Sequence, residues 1–218
     1  MPLLFGLLGL LALVLVVITW QVVAGGPLVN LDERLSGALV RPDRFSESLA
    51  DLGSVQVAVP VLALALGYVA WRRRTAGLDR WWVPSAAAAV LMALVPALIV
   101  PMKELVARPG PPVMGPGTGF YPSGHTATAA IAYGAATMLL LPLLRTARAG
   151  ARRALLGVCV TVNACVAFGL VRRGYHWPLD VVASWCLCAV LLYGLRLFLS
   201  RSTRRRSART PTRRTGPS

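Results

Sequence analysis

The stretch YPSGHTATAAIAYGAATMLLLPLL runs from Tyr121 to Leu144. From Thr126 onward it holds no charged residue. It approaches the roughly 20 residues a helix needs to cross the hydrocarbon core of a bilayer. Its front is different: a proline, a serine, a glycine and one of the chain's 2 histidines stand together at the lip of the apolar run. A reactive side chain at the mouth of a membrane span sets both the fold class and the place to look for chemistry.

Working outward, five more apolar runs are readable, giving six in all: about 3–25, 53–71, 82–102, 125–144, 154–171 and 179–199. The chain is 56% hydrophobic and 14% charged, with a mean hydropathy of +0.64, too apolar for a soluble domain of 218 residues. The runs are continuous rather than alternating, so nothing in them suggests a β-barrel. The expectation is an all-α polytopic membrane protein with six transmembrane helices, the first retained rather than cleaved. Residues 1–200 form one membrane domain and 201–218 a basic disordered tail. The net charge of +15 points to anionic lipid headgroups rather than nucleic acid, because seven arginines and no acid crowd that tail after the last span. Cys159, Cys165, Cys186 and Cys188 lie inside apolar runs without CxxC spacing and read as small buried hydrophobes, with no disulfide, metal site or cofactor expected.

Orientation follows from counting basic residues between spans. If six helices alternate, segments 72–81 and 145–153 and the chain from Arg196 onward share one side with 16 Lys and Arg, against 7 on the other. Both termini are therefore expected in the cytoplasm of a plasma-membrane protein. Residues 26–52, 103–124 and 172–178 are expected outside. His125, His176 and the single lysine, Lys103, all fall at that outer face.

These outer segments carry chemistry. Ser123 is placed to cap a helix, with Gly124 and His125 in its first turn; such a terminus offers backbone N–H groups and partial positive charge to an anion. In "RRGYHWPLD", His176 and Asp180 are four apart and share a helix face if the helix begins near His176. A carboxylate on one ring nitrogen fixes the tautomer and makes the other nitrogen a better nucleophile or base. The plainer readings are a turn and cap for "PSG", and a helix-stabilising pair for His176 and Asp180. Tyr175 and Trp177 read as interfacial belt residues. Together, a lysine, an arginine, a helix N-terminus and two histidines would serve phosphoryl transfer through a phosphohistidine.

The order and spacing of these pieces resemble the type 2 phosphatidic acid phosphatase family, whose pattern is KxxxxxxRP, then PSGH, then SRxxxxxHxxxD. "PSGH" matches at Pro122–His125, "HWPLD" places His176 and Asp180 on the third motif, and "KELVARPGPP" resembles the first. The resemblance implies a membrane phosphatase acting on a lipid phosphate; the basic asymmetry puts its site at the outer face, and the lack of visible metal ligands makes it metal-independent. Implied substrates are an isoprenoid pyrophosphate such as undecaprenyl pyrophosphate, phosphatidic acid or phosphatidylglycerol phosphate. It also implies that His176 attacks phosphorus, Asp180 orients it and His125 protonates the leaving oxygen. Lys103, Ser123 and Gly124 would hold phosphate oxygens, with Arg108 helping. Two motif positions depart from the pattern: Gly110 and Leu170 stand where the family has arginine, and Gly169 where it has serine. Each charged hydrogen bond to phosphate is worth about 1.5–3 kcal/mol. Arg108 and Arg173 are therefore the expected substitutes, Arg173 lying about 60° around a helix from position 170. The alternative is a weakened or inactive relative that binds lipid phosphate or a protein partner.

Overall fold

The computed structural model describes residues 2–144 and 149–207. Among them are eight α-helices: α1 (Pro2–Val23), α2 (Pro27–Leu39), α3 (Arg44–Asp51), α4 (Val55–Thr75), α5 (Val83–Val106), α6 (Gly124–Leu140), α7 (Ala149–Arg173) and α8 (Pro178–Ser207). Six helical segments among the described residues are long and apolar enough to cross a membrane, and each overlaps one of the six runs read from sequence, the second reaching from Arg44 to Thr75. Phe5, Leu13, Leu64, Val90 and Val160 are exposed. In water that would be anomalous; in hydrocarbon, helices satisfy their own backbone and present apolar side chains outward.

The helices outrun the apolar runs at their ends. α4 continues through Arg72–Arg74 to Thr75, and α8 continues to Ser207. The segment expected as a disordered tail from residue 201 is thus helical as far as Ser207, and the rest of it lies outside the described residues. A helix needs no hydrophobicity to propagate once nucleated, and basic residues are favoured near its C-terminus. Segment 26–52 contains two helices where the sequence showed only a gap between spans. α3 is started by a reciprocal cap: Asp43 Oδ1 accepts from Ser46 N at 2.7 Å, and Ser46 Oγ accepts from Asp43 N at 3.3 Å. Arg172 donates to Asp43 Oδ2 at 2.9 Å, tying this cap to the end of α7. The Ser46 amide and then Arg172 hold the Asp43 carboxyl down at about 2.

α6 is the central helix and touches α4, α5, α7 and α8. Its alanines make this possible: Ala127, Ala129, Ala132 and Ala135 are all buried, so neighbouring backbones come close. Sparse hydrogen bonds add register. Ser85 Oγ donates to Leu66 O at 2.9 Å between α5 and α4, and Tyr133 Oη donates to Leu52 O at 2.6 Å between α6 and the end of α3. One close approach decides the local sequence. At Gly169 of α7, a Cβ would stand 2.5 Å from Ala50 N and 2.7 Å from Ser46 O, so only glycine lets α3 lie against α7.

Candidate active site

The starts of α4, α6 and α8 and the ends of α5 and α7 lie at one end of the bundle, and the site is built there. α6 begins as the sequence predicts. Ser123 is its N-cap, with Oγ accepting from Thr126 N at 3.3 Å, and Gly124 and His125 occupy the first turn. α8 begins two residues later than a shared-face pairing requires. Pro178 takes the first helical position, where its missing N–H costs nothing. His176 therefore precedes the helix, and the His–Asp contact is not an i, i+4 pair on one helix. It is a loop histidine meeting a side chain of the first turn: Nδ1 lies 3.3 Å from Asp180 Oδ2. The same oxygen accepts from Trp177 N at 3.1 Å. Asp180 is fully buried and His176 nearly so.

The resulting tautomer is dictated by charge. A carboxylate only accepts, so Nδ1 carries the proton and Nε2 keeps its lone pair. Phe120 meets the imidazole edge-on, ring centroids 6.0 Å apart. His176, His125, Lys103, Gly124 and Asp51 share the lining of one cavity of about 1020 Å³. Away from these groups the cavity is apolar, running down between α4 and α5 past Val59, Met92, Pro96 and Ile99.

Lys103 stands in the last turn of α5, not in a loop as expected; the helix runs on to Val106 before Ala107 turns left-handed at φ 47°. Its Nζ donates to Gly119 O at 2.7 Å, fixing the ammonium at the cavity wall.

The remaining expected site residues are placed elsewhere. Ser123 is fully buried and not among the residues lining the cavity. Arg108, expected to help grip phosphate, is buried with its fork filled: Nη1 donates to Asp180 Oδ1 at 2.7 Å and Nη2 to Asp32 Oδ2 at 2.6 Å. Arg173 is half-buried over the Tyr175 ring, 5.2 Å from its centroid, and does not line the cavity either, although Tyr175 does. Trp177 is not a belt residue: it is buried, stacks under Arg108 at 5.3 Å and donates from Nε1 to Pro109 O at 2.9 Å. Tyr121 is buried as well, its hydroxyl 2.7 Å from Thr19 Oγ1, and burial pushes that phenol up to about 12.

Asp32 is the residue that sequence reading missed. It lies on α2 and is buried, with Oδ1 accepting from Leu179 N at 2.9 Å in the first turn of α8. Burial raises its pKa, with the Arg108 hydrogen bond pulling the other way. The only sequence signal was one of two adjacent acids in "LVNLDERL", indistinguishable by pattern from the exposed Glu33 beside it.

The two motif vacancies have structural causes. Leu170 is fully buried against Ala50, Ala129 and Val166, apolar surroundings in which a guanidinium would lose its hydration. At Gly110 a Cβ would stand 2.6 Å from the Phe120 ring.

Comparison with known proteins agrees with this architecture. No curated protein matches the chain. The crystal structure described as the first transmembrane PAP2 type phosphatidylglycerolphosphate phosphatase from Bacillus subtilis is similar, with a TM-score of 0.70 at 20% identity, covering 86% of this chain and 94% of that one. The family model of the PAP2 superfamily matches residues 84–204, a span that holds Lys103, the PSGH turn, His176 and Asp180. This chain is a multi-pass membrane protein that belongs to the PAP2 superfamily.

Proposed function

We propose that the protein is a lipid-phosphate phosphatase working through a phosphohistidine. The observation that carries this reading is the shape of the cavity. A polar end with His176, His125 and Lys103 continues into an apolar trough between membrane helices. An amphiphile with a phosphate head fits such a space, the head beside Lys103 and the two histidines and the chain along α4 and α5. His176 Nε2 attacks phosphorus as the P–O bond to the lipid breaks. Asp180 holds the Nδ1 proton and steadies the positive ring. His125 gives a proton to the departing lipid oxygen, then takes one from the water that cleaves the phosphohistidine. Lys103 and the N–H groups at the start of α6 meet the charge on the equatorial oxygens. Phosphatidic acid, phosphatidylglycerol phosphate and isoprenoid pyrophosphates all have the required form.

A second reading has one observation in its favour. Neither Arg108 nor Arg173 lines the cavity, so a weakened or inactive lipid-phosphate binder would look like this. Phosphate release by purified protein on a panel of lipid phosphates separates the two. The expected result is turnover that is vanadate-sensitive and at least about tenfold higher in kcat/KM for long-chain than for short-chain substrates, since each methylene buried is worth about 0.8 kcal/mol. Binding without release on every lipid would favour the second reading.

The basic asymmetry of 16 against 7 supports an extracytoplasmic site with both termini in the cytoplasm. A Gly117→Cys variant should react with an impermeant thiol reagent in intact cells, and Ala76→Cys, at the opposite end of the bundle, should react only after lysis. The reverse pattern would invert the topology.

A further inference from the structure

Asp32 stands outside the segment that the family model matches and does not touch the cavity, yet it completes a chain of contacts that ends on the reactive histidine. The chain runs from Asp32 Oδ2 to Arg108 Nη2, from Arg108 Nη1 to Asp180 Oδ1, and from Asp180 Oδ2 to His176 Nδ1. Both carboxylates and the guanidinium are buried. We propose that Asp32 is a positioning residue for the phosphatase reaction, holding Arg108 and through it Asp180 against His176, and supplying the negative charge that lets the pair support a positive imidazole. This rests on the reading of His176 as nucleophile.

The physical argument has two parts. The first is geometric. A guanidinium presents its donors in a rigid planar fork. With one prong on Asp32 and the face over Trp177, the other prong can place Asp180 Oδ1 in only a narrow range, which leaves Oδ2 for His176 and the Trp177 amide. The second is charge balance. Arg108 and Asp180 alone sum to zero, and a neutral pair does little for a ring that becomes cationic as its Nε2 bonds phosphorus. Asp32 leaves the triad with one net negative charge. The other ionisable groups lining the cavity with the ring are Lys103 of α5, His125 of α6, Asp51 at the end of α3 and the neighbouring Tyr175. Lys103 opposes a cationic His176, so the charge from Asp32 has something to offset.

Asp32 also accepts the Leu179 N–H, so a purely structural role as a helix cap must be distinguished. Asp32→Asn keeps an acceptor for that N–H and removes the charge. The chain has only 2 histidines, so selective 13C-histidine labelling gives two ring titrations, and the His125→Gln variant assigns them. The expected result for Asp32→Asn is a His176 ring signal whose titration is displaced to lower pH than in the wild type, because the charge that favours the cationic ring is gone. With it, kcat falls about tenfold or more while KM stays within about twofold, as for an interaction made chiefly in the transition state. If Asp32→Asn does not fold, Arg108→Gln carries the same test with the opposite sign: the His176 titration moves up, because the charges of Asp180, which touches the ring, and of Asp32 behind it are then no longer offset by the guanidinium. A lower kcat with an unmoved titration would reduce Asp32 to a cap and overturn the proposal, as would an unchanged kcat. Turnover absent from the wild type, with the Asp32→Asn titration still displaced, would sink the phosphatase reading and leave the coupling standing.

Discussion

Replacing His176 by alanine abolishes phosphate release, by a factor on the order of 10⁴ or more, as expected when a nucleophile held by an orienting carboxylate is removed. The cause is local. In the proposed mechanism Nε2 attacks phosphorus and His125 protonates the leaving oxygen; both histidines line the polar end of the cavity, His125 from the first turn of α6. Asp180→Asn lowers kcat by a factor on the order of 10³ with folded protein retained. An amide can turn its NH₂ toward Nδ1, which then must accept and so moves the proton to Nε2. The same change also leaves Arg108 with Asp32 as its one carboxylate partner. Both losses appear in kcat. The check is single-turnover phosphate release with an alkaline quench, because phosphohistidine is acid-labile. Wild type should show a transient phosphoprotein, and His176→Ala none. Full activity in His176→Ala, or a phosphoprotein that persists in it, would remove the mechanism.

Restoring the motif arginine at position 170 destroys the protein rather than improving it. Leu170→Arg places a guanidinium in a site with no exposure, among Ala50, Ala129 and Val166. An unpaired buried charge is among the few causes of destabilisation above about 4 kcal/mol. In a chain of this size that corresponds to a fall in melting temperature of about 10 °C or more. Gly169→Ser acts through the backbone instead. Its Cβ would overlap Ala50 N and Ser46 O, so α3 must leave α7, and Asp51 and Gly53 at the cavity wall move with it. Activity and melting temperature therefore fall together in Gly169→Ser. Detergent-solubilised melting curves and phosphate release on the same samples check both variants. A Leu170→Arg protein with the wild-type melting temperature and higher turnover would mean that position 170 reaches phosphate, contrary to the packing of α3 on α7.

The sequence by itself determined the six spans, the cap at Ser123 and the pairing of His176 with Asp180. Each of these depends on contiguous residues. A bilayer demands an uninterrupted apolar run, a cap needs its hydroxyl within one turn of the amide it serves, and an acid four residues from a histidine is within reach whether or not the helix has started. The tertiary structure alone decided what the arginines do. Arg108 meets Asp180 and Asp32 across 72 and 76 residues of chain, contacts that no local pattern encodes. The same holds for Lys103, which reads as a loop residue until α5 is seen to continue past the apolar run, and for Gly169, whose missing side chain is explained only by α3 lying on it. Spans are fixed by the solvent that surrounds them and so are written along the chain. The carboxylate–guanidinium chain behind His176 is fixed by which helices meet at one end of the bundle, and burial there forces each charge to find its partner from a different helix or loop.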